Sequence, residues 1–266
     1  MKRDKFKFSI IVVSLNTKKD FIQTINSIIK QSFNNKEIIV VDGLSDDGTV
    51  YEIKRLKKNF SKIILEKDSG IYHAMNKGLR VASGEWIFFL NSGDLFKDRD
   101  VLKNASKLIK KNNDIVFGDC LINNGQIIYK NEGKPFTKNT ILMPYSHQSV
   151  FVKKKLFFKN YFNLRYKISS DFDFFYCQFK KNSKFQKINI ILSITKSGGI
   201  SDKKRFTVLK ENFDILKKNK ITFFNFLKIF LYFIEFLLKK FIKFILPSFV
   251  TKIVLNIKYK DKIIKN

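Results

Sequence analysis

Residues 8–43, "FSIIVVSLNTKKDFIQTINSIIKQSFNNKEIIVVDG", decide the fold. The opening "FSIIVVSL" (8–15) is continuously apolar and β-branched, the pattern of a strand covered on both faces inside a parallel sheet. Residues 18–32 then change period: Phe21, Ile25, Ile28 and Ile29 recur at helical spacing and form one apolar stripe. "KEIIVVDG" (36–43) restores the strand pattern. Strand, helix and strand at this spacing make a βαβ unit with a right-handed crossover, so the sheet begins parallel.

The alternation extends outward from this unit. A helix is expected near 48–58, a short strand at "KIILEK" (62–67), a helix over 70–82 and a strand at "EWIFFLN" (85–91). Another helix follows at 99–112, then the strand "DIVFGDC" (114–120). "LINNGQIIYK" (121–130) has the Asn-Asn-Gly turn chemistry of a hairpin. No repeat or low-complexity linker interrupts the chain before about residue 196, so this stretch reads as one α/β domain with a mainly parallel central sheet flanked by helices.

The 266 residues suffice for one generous domain with an appendage. The formal charge of +29 implies an anionic partner. Nucleic acid is not the expected one: the basic residues run along the whole chain, with no zinc-finger spacing, RNP-type aromatic motif or basic zipper region. Cys120 and Cys177 lack metal or disulfide spacing and suit buried thiols in a reducing, cytoplasmic setting. The apolar run after "MKRDKFK" is short for a signal peptide and reads as the first strand.

Texture changes near residue 203. Residues 203–266 contain sixteen Lys and Arg against four Asp and Glu, interleaved with "FFNFLKIFLYFIEFLLKKFIKFILP". On a helix, Lys228, Tyr232, Glu235, Lys239 and Lys243 fall at spacings of three or four and draw a polar stripe on an apolar cylinder. Charges recur too often for a spanning segment. The expectation is a C-terminal amphipathic helical extension lying in a membrane interface, its lysines on anionic lipid, with a helix packed on the enzyme core as the alternative. The domain division expected is 1–202 and 203–266.

Ligands of open parallel sheets gather beyond the carboxyl ends of the strands. Those ends read Ser14-Leu15-Asn16-Thr17, Asp42-Gly43, Glu66-Lys67-Asp68 and Asn91-Ser92-Gly93-Asp94. The last is abrupt: in "FFLNSGDLF" (88–96) a buried strand runs straight into four small polar residues. Carboxylates at three successive strand ends on one rim suggest a site.

The stretches "SIIVVSLN", "IIVVDGLSDDGT", "DSGIYHAMNKGLRVASGEWIFFLNSGD", "HQSVFVKKKLF" and "SSDFDFFY" closely resemble the inverting family 2 glycosyltransferases of GT-A fold, in particular bacterial enzymes of lipopolysaccharide, capsule and colanic-acid-type polysaccharide synthesis. The resemblance covers about residues 8–200. It implies a nucleotide-sugar donor, with UDP expected, and a divalent cation, Mn²⁺ or Mg²⁺, to stabilise the departing diphosphate. Asp94 is the implied metal ligand. Asp42 is expected at the nucleobase, Asp68 near base or ribose, Asn76 and Gly78 lining the same cleft, and Asn91 and Ser92 against ribose and phosphate. Ser14 and Asn16, closing the first strand, complete the nucleotide-binding set. "NSGD" departs from the family's usual metal motif in carrying one carboxylate.

An inverting transfer needs a general base for the acceptor hydroxyl. The family's Glu-Asp motif falls on Ser170-Asp171, so Asp171 inherits the role, with Asp173 the second candidate. His147 is an acceptor-side or metal-side candidate. "SGGIS" (197–201) resembles the family's closing loop. The expected function is sugar transfer to a lipid-linked or growing surface glycan at the cytoplasmic face of the inner membrane. A non-catalytic nucleotide-binding scaffold is the alternative.

Overall fold

The computed structural model describes residues 8–158, 161–220 and 223–245, with side chains in the last stretch described to residue 238. In chain order the elements are β1 (Phe8–Ser14), α1 (Lys18–Ile29), β2 (Lys36–Asp42), α2 (Thr49–Arg55), β3 (Lys62–Leu65), α3 (Ile71–Val81), β4 (Trp86–Phe89) and β5 (Leu95–Phe96). Then follow α4 (Val101–Leu108), β6 (Ile115–Asn123), β7 (Ile128–Asn131), β8 (Val150–Lys153), α5 (Ser170–Lys180), β9 (Phe185–Lys196), α6 (Ile200–Lys203), α7 (Arg205–Lys218) and α8 (Phe223–Ile245).

The strands form one sheet in the order β3-β2-β1-β4-β8-β6-β9-β5, with β7 paired to β6. The half expected from the sequence, β3-β2-β1-β4, is parallel throughout. The other half is mixed: β8 lies antiparallel between β4 and β6, β9 runs parallel to β6, and β5 closes the far edge antiparallel to β9. β6 and β7 form the expected hairpin, turning at Gly125 with φ +83°.

Both faces of the sheet are covered, which accounts for the unbroken apolar run in β1. Ile11 and Val13 enter one core cluster with α3, α5 and α7. Phe8, Ile10 and Val12 enter the other with α1 and α4. A strand sandwiched this way has no solvent face to mark with polar residues. Gly78 serves the same packing: a Cβ there would stand 2.6 Å from Ile11 Cγ2, so only glycine lets α3 lie this close to β1.

α7 is part of this packed body. Its Ile215 and Leu216 are fully buried in the cluster shared with α3 and α5. The body therefore runs past the boundary expected at residue 202. α8 meets it along one side, through buried Asn225, through Ile229, and through Tyr232, whose hydroxyl accepts from Arg205. Tyr232, expected in the polar stripe, thus faces the protein. The other side of α8 carries exposed apolar residues, among them Phe223, Phe224, Phe230 and Leu231. No helix among the described residues is long and apolar enough to cross a membrane. The side chains of Lys239 and Lys243, and all of 246–266, lie outside the described residues.

Candidate active site

A cleft of about 930 Å³ opens at the carboxyl ends of β1 and β4 and is closed on its far side by α5, α7 and the 196–201 segment. Of the residues expected from the sequence, it brings together Ser14, Asp68, Asn91, Ser92, Asp94, His147 and Asp171.

Asn91 to Asp94 form a turn held from several directions. Gly93 takes φ +101°, a region glycine enters without a Cβ penalty. Its N–H donates to Thr24 Oγ1 at 2.9 Å, and that hydroxyl donates to the Asp94 carbonyl at 2.8 Å. Thr17 Oγ1 donates to Ser92 Oγ at 2.8 Å. The turn therefore rests on α1 and fixes the direction of the Asp94 carboxyl. Asp94 is only 7% exposed. Burial pushes its carboxyl up to about 7, against the opposing pull of His147, Gln148 and Lys196.

His147 bridges this turn to α5. The Asn91 amide nitrogen lies 3.0 Å from His147 Nε2. Nδ1 faces Asp171 Oδ2 at 3.4 Å. The other carboxylate oxygen, Oδ1, accepts from Tyr72 Oη at 2.8 Å and from the Phe172 N–H at 2.8 Å. Asp171 is thereby oriented with Oδ1 committed to the protein and Oδ2 toward the cleft.

Other expected residues stand elsewhere, for physical reasons a sequence does not carry. Asp42 is fully buried and accepts from Ser14 Oγ, Ser45 N–H and Ser45 Oγ, each at 2.7 Å. It joins the ends of β1 and β2 and is not among the residues that line the cleft. Asn16, at φ +52°, donates its N–H to Ser45 Oγ and accepts from Asp46 N–H, fastening the same loop outside the cleft wall. Asn76 is a buried two-way clamp, donating to the Phe162 carbonyl at 2.8 Å and accepting its N–H at 3.0 Å. Gly78 lies behind the cleft against Ile11. Asp173 points to Asn163 and does not line the cleft.

Several cleft residues were not singled out from the sequence. Tyr72 sits in the quoted "GIYHAMNKG", but only the fold shows its hydroxyl reaching Asp171. Lys196, Lys203 and Arg205 give the far wall positive charge. Lys196 also pairs with Asp20 of α1 across the mouth.

Among the described residues no three His, Cys, Asp or Glu side chains gather as a metal cluster. The donor set nevertheless fits a hard divalent cation shared with a ligand. The Asp94 carboxyl and Asn91 Oδ1, which is buried with no hydrogen-bond partner, are oxygen donors on one turn. They leave most coordination positions to phosphate oxygens and water.

Residues 9–184 match the family described as "Glycosyl transferase family 2". The chain belongs to that family. This family 2 glycosyltransferase is 30% identical over 175 residues to the "PGL/p-HBAD biosynthesis glycosyltransferase" of Mycobacterium bovis (strain BCG / Pasteur 1173P2), a match covering 63% of this chain and 67% of the relative. It is 31% identical over 129 residues to the Escherichia coli "UDP-Glc:alpha-D-GlcNAc-diphosphoundecaprenol beta-1,3-glucosyltransferase WfgD", covering 48% and 51%. Among solved structures it resembles S. aureus TarS 1-349 in complex with UDP, with TM-score 0.60 and 19% identity over 79% of this chain and 65% of that one. It also resembles the mannosyltransferase PcManGT from Pyrobaculum calidifontis in complex with GDP-Man and Mn²⁺, with TM-score 0.63 and 17% identity over 80% and 64%. The chain thus spans about two thirds of the length of these structures. Their likeness carries the fold, the α/β sheet with flanking helices expected from the sequence, here with mixed strand directions.

Proposed function

We propose that the enzyme transfers one sugar, with inversion, from a UDP-sugar to a lipid-linked or growing surface glycan. The observation that carries this reading is the meeting of Asp94 and Asp171 in one cleft, joined through Asn91 and His147. The donor's diphosphate lies toward Asp94 and the basic wall of Lys196, Lys203 and Arg205, with Ser14, Asp68 and Ser92 toward the nucleoside. Asp94 and Asn91 Oδ1 would hold a Mn²⁺ or Mg²⁺ ion, which would supply charge stabilisation for the leaving diphosphate.

Asp171 is the base. As the acceptor oxygen attacks the anomeric carbon, its O–H bond breaks and the proton passes to Asp171 Oδ2. The sugar–diphosphate bond breaks with its electron pair going to the diphosphate. Attack opposite the leaving group inverts the anomeric centre. Oδ1, already accepting from Tyr72 and Phe172, is not free for this task.

The nucleotide choice is supported by the UDP-sugar in the WfgD name and the UDP in the TarS complex. The acceptor class is supported by the diphosphoundecaprenol-linked substrate in the WfgD name. The exposed apolar side of α8, on a strongly cationic chain, suits the anionic cytoplasmic surface of the inner membrane, where such an acceptor would be presented.

The test is a panel of nucleotide sugars, with and without Mn²⁺, scored by thermal stabilisation of the purified protein. UDP-sugars should raise the melting temperature in a Mn²⁺-dependent way. Stabilisation by none of the panel, or by GDP-sugars alone, rejects the assignment of donor.

A further inference from the structure

The turn that presents Asp171 is held by a residue outside the stretch matching the family. Glu211 of α7 accepts three successive backbone N–H groups: Lys167 at 2.9 Å on Oε1, and Ile168 at 3.0 Å and Ser169 at 2.8 Å on Oε2. These residues immediately precede α5, whose second residue is Asp171. Three charge-assisted bonds to one carboxylate fix a turn far more firmly than neutral contacts would.

The same turn is gripped from the opposite side. Tyr72 of α3 places its hydroxyl 2.6 Å from the Ile168 carbonyl and 2.8 Å from Asp171 Oδ1. α7 adds further fastenings just upstream, where Tyr166 Oη donates to Asp214 at 2.9 Å and Lys218 donates to Tyr166 Oη at 2.8 Å. The family match ends at residue 184, so the Asp171 turn is set by one partner inside the matched region and one beyond it.

We propose that Glu211 is a positioning residue for Asp171, which makes α7 a working part of the active site; the inference rests on the reading of Asp171 as the base. Glu211 touches no substrate. It acts by fixing residues 167–169, and with Tyr72 it aims Oδ2 at the acceptor hydroxyl. A base displaced by about 1 Å loses roughly a hundredfold in rate.

The experiment compares full-length wild type with Glu211→Ala, Glu211→Gln and Asp171→Asn. It reads UDP release from UDP-glucose and UDP-N-acetylglucosamine, UDP affinity by calorimetry with Mn²⁺, and amide hydrogen exchange at 167–169, which needs no turnover. Glu211→Ala should lower kcat roughly ten- to hundredfold, with donor KM and UDP affinity within twofold of wild type and faster exchange at the three amides. Glu211→Gln, which retains one accepting oxygen, should fall between, and it is the variant read if the alanine protein does not fold.

A kcat within twofold of wild type, unchanged exchange at 167–169, or a joint loss of UDP affinity and kcat overturns the proposal. Full activity in Asp171→Asn overturns the base assignment instead, so the two failures are distinguishable.

Discussion

Asp94 is expected to weaken the fold of the metal-free enzyme at neutral pH, and Asp94→Asn to strengthen it. The carboxyl is 7% exposed, and burial raises it from an ordinary 3.8 to about 7. The native state therefore holds a proton that the unfolded chain releases, so stability falls as pH rises from about 4 to about 7 and is level above that. The full penalty is about 4 kcal/mol, accruing at about 1.4 kcal/mol per pH unit. Asparagine matches the shape and cannot ionise. The stability difference between variant and wild type should thus be about 1 kcal/mol at pH 4.5 and grow in favour of the variant toward pH 8. Urea denaturation of both proteins across that range, without divalent cation, reads the difference directly, and groups that titrate alike in both cancel. Adding Mn²⁺ should stabilise wild type increasingly with pH and leave the variant unmoved. A stability difference that does not change with pH, or a variant weaker at every pH, would refute the reasoning.

Replacing Phe223, Phe224, Phe230 and Leu231 by serine should reduce co-flotation with anionic vesicles several-fold while leaving UDP affinity intact; unchanged flotation rejects the interfacial role of α8. Gly78→Ala should cost about 1–3 kcal/mol in denaturant midpoint experiments, because the added methyl meets Ile11 at 2.6 Å. Asn76→Ala should cost a similar amount, about 1–3 kcal/mol, by stranding the buried Phe162 peptide groups, and should spare donor KM. Asp173→Asn should leave kcat within twofold, whereas a loss as deep as that of Asp171→Asn would restore Asp173 as a base.

The parallel half of the fold was legible because its signal is local. Residues 8–43 switch from continuous apolar to helical period and back, and nothing else satisfies all three segments. β5, β8 and β9 were not visible in the same way. β5 has two residues, and β9 mixes exposed Lys187 and Asn189 with buried Ile188 and Leu192. The chemistry of the site divides along the same line. Strand-end carboxylates can be found by position, and Asp94 and Asp68 both line the cleft. Whether such a carboxylate faces the cleft or turns inward depends on neighbours far away in sequence: Asp42 is captured by Ser14, 28 residues distant. Tyr72 reaches Asp171 over 99 residues, and Glu211 reaches Ile168 over 43. Composition and spacing carry no trace of such contacts, so the two residues that hold the base had no sequence signal.

The most direct test of the account is turnover by Asp171→Asn. With Mn²⁺ and a donor the wild type uses, the variant should bind UDP with wild-type affinity and release it from the sugar at least about a hundredfold more slowly. Wild-type turnover in that variant would mean that the cleft joining Asp94 to Asp171 is not where the acceptor loses its proton.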